Sequence, residues 1–352
     1  MSNLIDFKAL PKIELHAHLS GSISRQTLHE VWLQKQSSTT LQDPLVVMPP
    51  GKHDYDLKTF FPLFSSYIYN LVNDAPSLRH TTLAVLKDFT ADGVVYLELR
   101  TTPRVMPDAG ITAQDYIQII LDTINEFETS TPLPTLRTNL ILSIDRRNSP
   151  AQAESVISLL RHFASQPNTN SKVVGLDLCG DPSSPLNSLI PLTPYFLEAK
   201  KSLPHLGLTL HFAEAECSGT DEELDLLLSW GPDRLGHVIH LSDEIKNKVR
   251  KRRGGSMGLE LCLSCNVHAG MVTGGFEGHH FGEWYKVDET IIVLSTDDVG
   301  VFGSPLSNEY ALVAKHFGLD RTEICKLARK GINAIFGGEE EKERLRRIMW
   351  TE

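Results

Sequence analysis

Short apolar runs recur along the chain at nearly regular intervals, each followed by a segment of a different period. The first, Ile13-Glu14-Leu15-His16-Ala17-His18-Leu19, alternates apolar and polar positions as a half-buried strand does. Seven further runs of strand character follow, at 94–102, 136–145, 173–180, 207–214, 234–240, 258–266 and 291–298. Several are almost continuously apolar, the pattern of strands covered on both faces of a parallel sheet. Between them lie segments of helical period such as 112–128, 149–165 and 221–230, the first two opening on the cap candidates Thr112 and Ser149. Eight strand–helix units predict an α/β fold of the TIM type, a (β/α)8 barrel.

Two segments fall outside that repeat. Residues 36–74 hold "MPPGKHDYD" and then the aromatic-rich "FFPLFSSYIYN", which predicts a helical lid inserted after the first strand. The charged tail 338–352 predicts a C-terminal surface helix, and residues 1–352 read as one domain.

Composition narrows the class without changing the fold. Hydrophobic residues make up 41% of the 352 and charged residues 22%, with a formal net charge of −10. An acidic balance argues against a nucleic-acid partner. No apolar stretch reaches membrane-spanning length, and the opening "MSNLIDFKAL" lacks the basic and apolar regions of a signal peptide. Five cysteines, Cys179, Cys217, Cys262, Cys265 and Cys325, predict no disulfide framework in a chain of this length. The expectation is a cytoplasmic monomer acting on a small molecule.

The chemistry gathers at one end of the runs. Residues two apart on a strand share a face, so His16 and His18 project together. The fourth run ends in "LDLCG" with Gly180, the fifth in "LHFAE" with His211 and Glu214, the sixth holds "GHVIH" with His237, and the eighth ends in "STDD" with Asp297 and Asp298. Alone, His211 reads as a core histidine and Asp297-Asp298 as a turn or helix cap. Together they place ionisable groups at the C-terminal strand ends, the active-site face of a barrel. His16, His18, His211 and Asp297 offer three imidazoles and a carboxylate, a donor set for one Zn²⁺ with a position left for water. Zinc lowers the pKa of such a water to roughly 7. Cys262-Leu-Ser-Cys265 lacks the second pair of a structural zinc site and predicts two small buried residues on strand seven.

"ELHAHLSGS", "LDLCGDP", "HFAE", "GHVIH", "CLSCN" and "STDD", in this order between about residues 10 and 336, resemble the adenosine deaminase family of the amidohydrolase superfamily. "YLELRTTPR", "SIDRR" and "HHF" resemble its adenosine deaminase-like branch, whose members convert N6-methyl-AMP to IMP. The cytidine-type H-x-E and P-C-x-x-C signature is absent from the sequence. The resemblance implies zinc on His16, His18, His211 and Asp297, and Glu214 as proton donor to purine N1. It implies His237 orienting or deprotonating the attacking water, Asp298 at N7 and the Gly180 amide at N3. Substrate contacts are expected at His18, Ser20, Thr101, Thr102, Pro103, Arg104, Asp145, Gly180 and Asp298, with Arg104 and Arg146 as candidate phosphate handles because Arg binds phosphate bidentately. Three positions depart from the family pattern. Ser20 stands where the branch has Asn, Tyr69 where relatives carry a lid histidine, and Ser264-Cys265-Asn266 where the family has Thr-Ser-Asn. The alternatives are a deaminase of free adenosine or adenine, a non-catalytic binding protein on the same barrel, and a phosphoesterase or amidase on that scaffold.

Overall fold

The computed structural model describes residues 5–130, 135–164, 171–252 and 255–352. Its centre is one eight-stranded sheet in sequential order: β1 (Lys12–His18), β2 (Val94–Thr101), β3 (Arg137–Asp145), β4 (Val173–Cys179), β5 (Gly207–Phe212), β6 (Arg234–His237), β7 (Met257–Leu261) and β8 (Thr290–Leu294). Neighbours pair in parallel, and the last joins the first through a bridge between Ala17 and Asp297, where His18 N–H donates to Asp297 O at 3.1 Å. Helices between successive strands complete a TIM-type barrel, as the alternating pattern predicts.

Each predicted helix has a local cause. Thr112 accepts from the Asp115 amide, and Asp115 returns a bond to the Thr112 amide, starting the helix Ala113–Glu128. That helix buries Tyr116, Ile117, Ile120, Thr123, Ile124 and Phe127 at helical spacing. Ser149 Oγ accepts from the Gln152 amide at the start of Pro150–Ala164, and Thr220 caps Asp221–Ser229. Residue 165, the last of the second periodic segment, lies outside the described residues. The tail forms the helix Glu339–Ile348.

Four strands are shorter than the apolar runs suggest. β5 stops before Ala213 (φ 52°), and β6 ends at His237 (φ 65°) and Val238 (φ 50°). β8 gives way before Asp297 (φ 61°), and after β7 the chain turns into the helix Leu263–His268. Left-handed backbone at non-glycine residues costs about 1–3 kcal/mol each and gathers at functional sites. Cys262 and Cys265 therefore stand at the head of that helix and not on β7, although both are buried as expected. All five cysteines are free.

Segment 36–74 contains the short helices Pro44–Val47, Leu57–Pro62 and Tyr69–Leu71, with a wider π-helical stretch at Leu63–Ile68. Such stretches are frequent at functional sites. Among the described residues no helix is long and apolar enough to cross a membrane.

Candidate active site

A cavity of about 330 Å³ opens at the C-terminal end of the strands, within the range of small-molecule sites. His18, His211, Glu214, Asp297 and Asp298 line it, with Arg100, Thr101, Thr102 and Asp145 around them. Lys58, Phe60, Phe61, Phe64, Ser65 and Tyr69 line it from segment 36–74.

At its floor three ring nitrogens meet. His211 Nε2 lies 3.2 Å from His16 Nε2 and 3.1 Å from His18 Nε2. Asp297 Oδ1 is 3.4 Å from His18 Nε2 and 3.8 Å from His16 Nε2. Ligands at about 2.0–2.1 Å around a tetrahedral ion stand about 3.3 Å apart, so these separations fit one small cation. The far side of two rings is committed to holding the proton. His16 Nδ1 meets Glu260 Oε2 at 2.5 Å, and His211 Nδ1 meets Leu178 O at 2.8 Å and Asp177 Oδ1 at 3.2 Å. Both neutral rings thus turn Nε2 lone pairs toward each other, an arrangement that calls for a cation between them. Asp297 Oδ1 is buried without a hydrogen-bond partner among the described residues, as an oxygen meant for a metal would be. The residues present therefore fit a metal ion. Burial works against a charged His211, but Asp177 lifts the ring to about 9, so a bound cation would displace a proton there.

His16, His211, His237 and Asp297 also lie close enough together to hold a metal. His237 Nε2 is 3.8 Å from the other carboxylate oxygen, Asp297 Oδ2, whereas His18 shares the shorter contacts with Oδ1 and His211. His18 therefore approaches Asp297 more closely than His237 does, which favours it as the ligand. His237 stands beside the predicted set, fully buried, with Nε2 unpartnered and 3.9 Å from Glu214 Oε1.

The carboxyls are tuned by their surroundings. Burial pushes Glu214 up to about 7, with Asp297 adding to the shift and His211 opposing it. Burial, then the charge of Asp297, raises Asp298, whose Oδ1 is buried and unpartnered. A Cβ at Gly21 would overlap the Asp298 carboxyl, so the glycine makes room for it. Gly180 (φ 103°) likewise lies against Asp145, which any side chain there would strike.

Three residues expected at the phosphate end, Pro103, Arg104 and Arg146, do not match the geometry. Pro103 and Arg104 are not on the cavity wall. The Arg104 guanidinium stacks on Tyr69 at 4.2 Å and donates to Val72 O at 3.1 Å, so it braces a ring that does line the cavity. Arg146 is buried, paired with Glu223 at 2.5 Å and absent from the cavity wall. Ser20, Thr101 and Thr102 do line the cavity, although Thr101 already shares a hydrogen bond with Tyr116 at 2.8 Å. The cations on the wall are Arg100, Arg147 and Lys58. Asp177 and Glu260 hold Arg100, and Asp145 holds Arg147. Among the described residues no carboxylate pairs with Lys58.

Sequence reasoning missed Asp177, Glu260 and Arg100, which orient the histidines. All three are charged residues inside apolar strand runs, a signal available in "LDLC", "LELC" and "YLELR". It also missed Lys58, and although "CLSCN" and "HHF" single out Asn266 and His279, nothing in the sequence places that pair behind His237.

Residues 11–350 match the Adenosine deaminase family. The chain is 35% identical to human N6-methyl-AMP deaminase over 97% of its own length and 93% of the relative's. The crystal structure of Arabidopsis N6-mAMP deaminase superposes with a TM-score of 0.85 at 33% identity, covering 97% of this chain and 98% of that one. An Arabidopsis relative complexed with IMP gives 0.85 at 32% identity, covering 97% and 96%. By the extent of the family match and the identity to these relatives over nearly their whole lengths, this chain belongs to the adenosine deaminase family.

Proposed function

We propose that this protein is a zinc-dependent aminohydrolase that converts N6-methyl-AMP and water to IMP and methylamine. The observation that carries it is the set of facing Nε2 lone pairs and the unpartnered Asp297 Oδ1, beside a carboxyl, Glu214, whose affinity for protons is raised to about 7. The names of the human and Arabidopsis relatives and the IMP bound to one of them support the substrate class. His16, His18, His211 and Asp297 would hold the ion, and zinc there would supply Lewis-acid chemistry that makes water nucleophilic near neutral pH.

The chain's own groups do the rest. Attack at C6 breaks the aromatic ring and builds charge on N1, and Glu214 delivers a proton to that nitrogen. Its raised pKa keeps a substantial protonated fraction at neutral pH, which a general acid requires. Asp298, kept protonated by burial and by Asp297, donates to the N7 lone pair. The Gly180 amide serves N3. His237 Nε2 faces the attacking oxygen and orients it. Ser20, Thr101, Thr102 and Asp145 line the ribose side, and Lys58 meets the 5′-phosphate. Segment 36–74 acts as a lid through Phe61, Phe64 and Tyr69.

A deaminase of free adenosine is the rival. Lys58 on the wall, which makes no ion pair among the described residues and has Asp56 as its charged neighbour, favours the nucleotide, because an ammonium without a close carboxylate partner gains most from an anionic ligand. The test is incubation of the zinc-loaded protein with N6-methyl-AMP and mass analysis of the products. IMP and methylamine in equal amounts support the proposal, and unchanged substrate at full zinc content refutes it.

A further inference from the structure

Behind His237 a row of hydrogen bonds runs from a backbone amide to the imidazole. Phe281 N–H donates to His279 Nδ1 at 3.1 Å. A backbone amide can only donate, so that nitrogen accepts, and a neutral His279 carries its proton on Nε2. Neutrality follows from its surroundings, since His279 is 3% exposed and burial pushes it down to about 2. His279 Nε2–H then donates to Asn266 Oδ1 at 3.2 Å. This fixes the amide's orientation, with Asn266 Nδ2 turned toward His237 Nδ1 at 3.0 Å and Met271 Sδ at 3.8 Å. An amide nitrogen only donates and a thioether only accepts, so both contacts agree with that orientation. His237 Nδ1 must supply the lone pair, and the proton of the neutral ring sits on Nε2, facing the site. His280 Nε2 secures the turn by donating to His237 O at 2.6 Å.

We infer that Asn266 and His279 are positioning residues that lock His237 as its Nε2–H tautomer, so that it gives a hydrogen bond to the reacting oxygen and takes no proton from it. The same lock removes His237 from the metal ligands, because a protonated Nε2 has no lone pair to offer. His18 then completes the ligand set on grounds independent of distance. The catalytic consequence rests on the proposed reaction. The tautomer itself does not.

Asn266→Asp keeps the shape and replaces the donor facing His237 by an acceptor. It should move the proton to Nδ1 and turn an Nε2 lone pair toward the site. His279→Gln retains one donor and one acceptor, whereas His279→Leu frees the Asn266 amide to turn. The experiment is a two-bond ¹H–¹⁵N correlation on the zinc-loaded full chain with ¹⁵N-labelled histidine, the His237 signals being those lost in His237→Gln. We expect the Nε2–H pattern in the unmutated protein and in His279→Gln, and the Nδ1–H pattern in Asn266→Asp. Turnover of N6-methyl-AMP by Asn266→Asp should fall about 10²-fold in kcat, the scale of losing one donor to a reacting oxygen, with KM and zinc content nearly unchanged. An Nδ1–H pattern in the unmutated protein overturns the inference, whatever the variants do. So does an Asn266→Asp protein that is merely less stable, with tautomer and kcat unmoved. If the substrate reading fails instead, the unmutated protein shows no turnover while its Nε2–H pattern stands.

Discussion

Replacing Glu214 by Gln is the sharpest test of the chemistry. The side chain is 8% exposed and lies on the cavity wall, with Oε1 3.9 Å from His237 Nε2. Gln fills the same volume but cannot deliver a proton to N1. A general acid is worth about 10²–10⁴-fold, or about 2.7–5.4 kcal/mol at 1.36 kcal/mol per decade. Because the proton moves only in the transition state, kcat should fall by that factor with little change in KM. The pH profile adds a sign. The protonated carboxyl is the active form and burial raises it to about 7, so kcat/KM of the unmutated enzyme should decline as pH rises through that value. A bound dication pulls the limb lower, so it should lie at or below 7. The residual activity of Glu214→Gln should lack it. Stability moves the other way. A carboxyl whose folded pKa exceeds its unfolded one favours folding while protonated and loses that advantage as pH rises to the folded value. In zinc-free protein, Glu214→Gln should therefore raise the melting temperature at pH 8 relative to the unmutated chain, with little difference at pH 4.5. The assay is continuous absorbance at several pH values, with zinc measured by atomic absorption. Activity within tenfold of the unmutated enzyme, with the same alkaline limb, would show that another group protonates the ring.

Further outcomes concern the metal and the phosphate end. His211→Ala or Asp297→Ala should each lose most of the bound zinc and all detectable turnover; full zinc with normal rates in either variant would strike that residue from the ligand set. Lys58→Ala should lower kcat/KM for the nucleotide about tenfold and leave the nucleoside unchanged, since Lys58 is exposed and a charged hydrogen bond there sits at the low end of about 1.5–3 kcal/mol. Parallel losses on both substrates would place its role elsewhere. Arg146→Ala strands the buried Glu223 and should cost about 3–5 kcal/mol of stability, seen in denaturant unfolding, without altering the nucleotide-to-nucleoside ratio. A selective loss of nucleotide activity would restore Arg146 as a phosphate handle.

The sequence exposes those parts of the site that lie at strand ends. His16 and His18 follow the two-residue period of β1, and His211, Glu214, Asp297 and Asp298 follow apolar runs that must end at the same face. It hides where those strands stop, because Ala213, His237 and Asp297 take left-handed backbone that no local pattern announces. It hides the supporting charges too. Arg100 meets Asp177 and Glu260 across 77 and 160 residues of chain, so barrel closure makes the pairing and not proximity in sequence. Arg104 and Arg146 show the opposite error. Both follow a strand that opens on the cavity, yet Tyr69 and Glu223 claim their guanidinium groups. Lys58, far earlier in the chain and on a short helix, is the cavity-wall cation that makes no ion pair among the described residues.

A nucleotide deaminase is told from a nucleoside deaminase by kcat/KM of the zinc-loaded enzyme for N6-methyl-AMP, AMP, N6-methyladenosine and adenosine under one set of conditions. N6-methyl-AMP should lead and exceed N6-methyladenosine by at least about tenfold, the worth of one charged hydrogen bond to phosphate. Equal values for N6-methyl-AMP and N6-methyladenosine, or a lead for adenosine, would contradict the nucleotide reading.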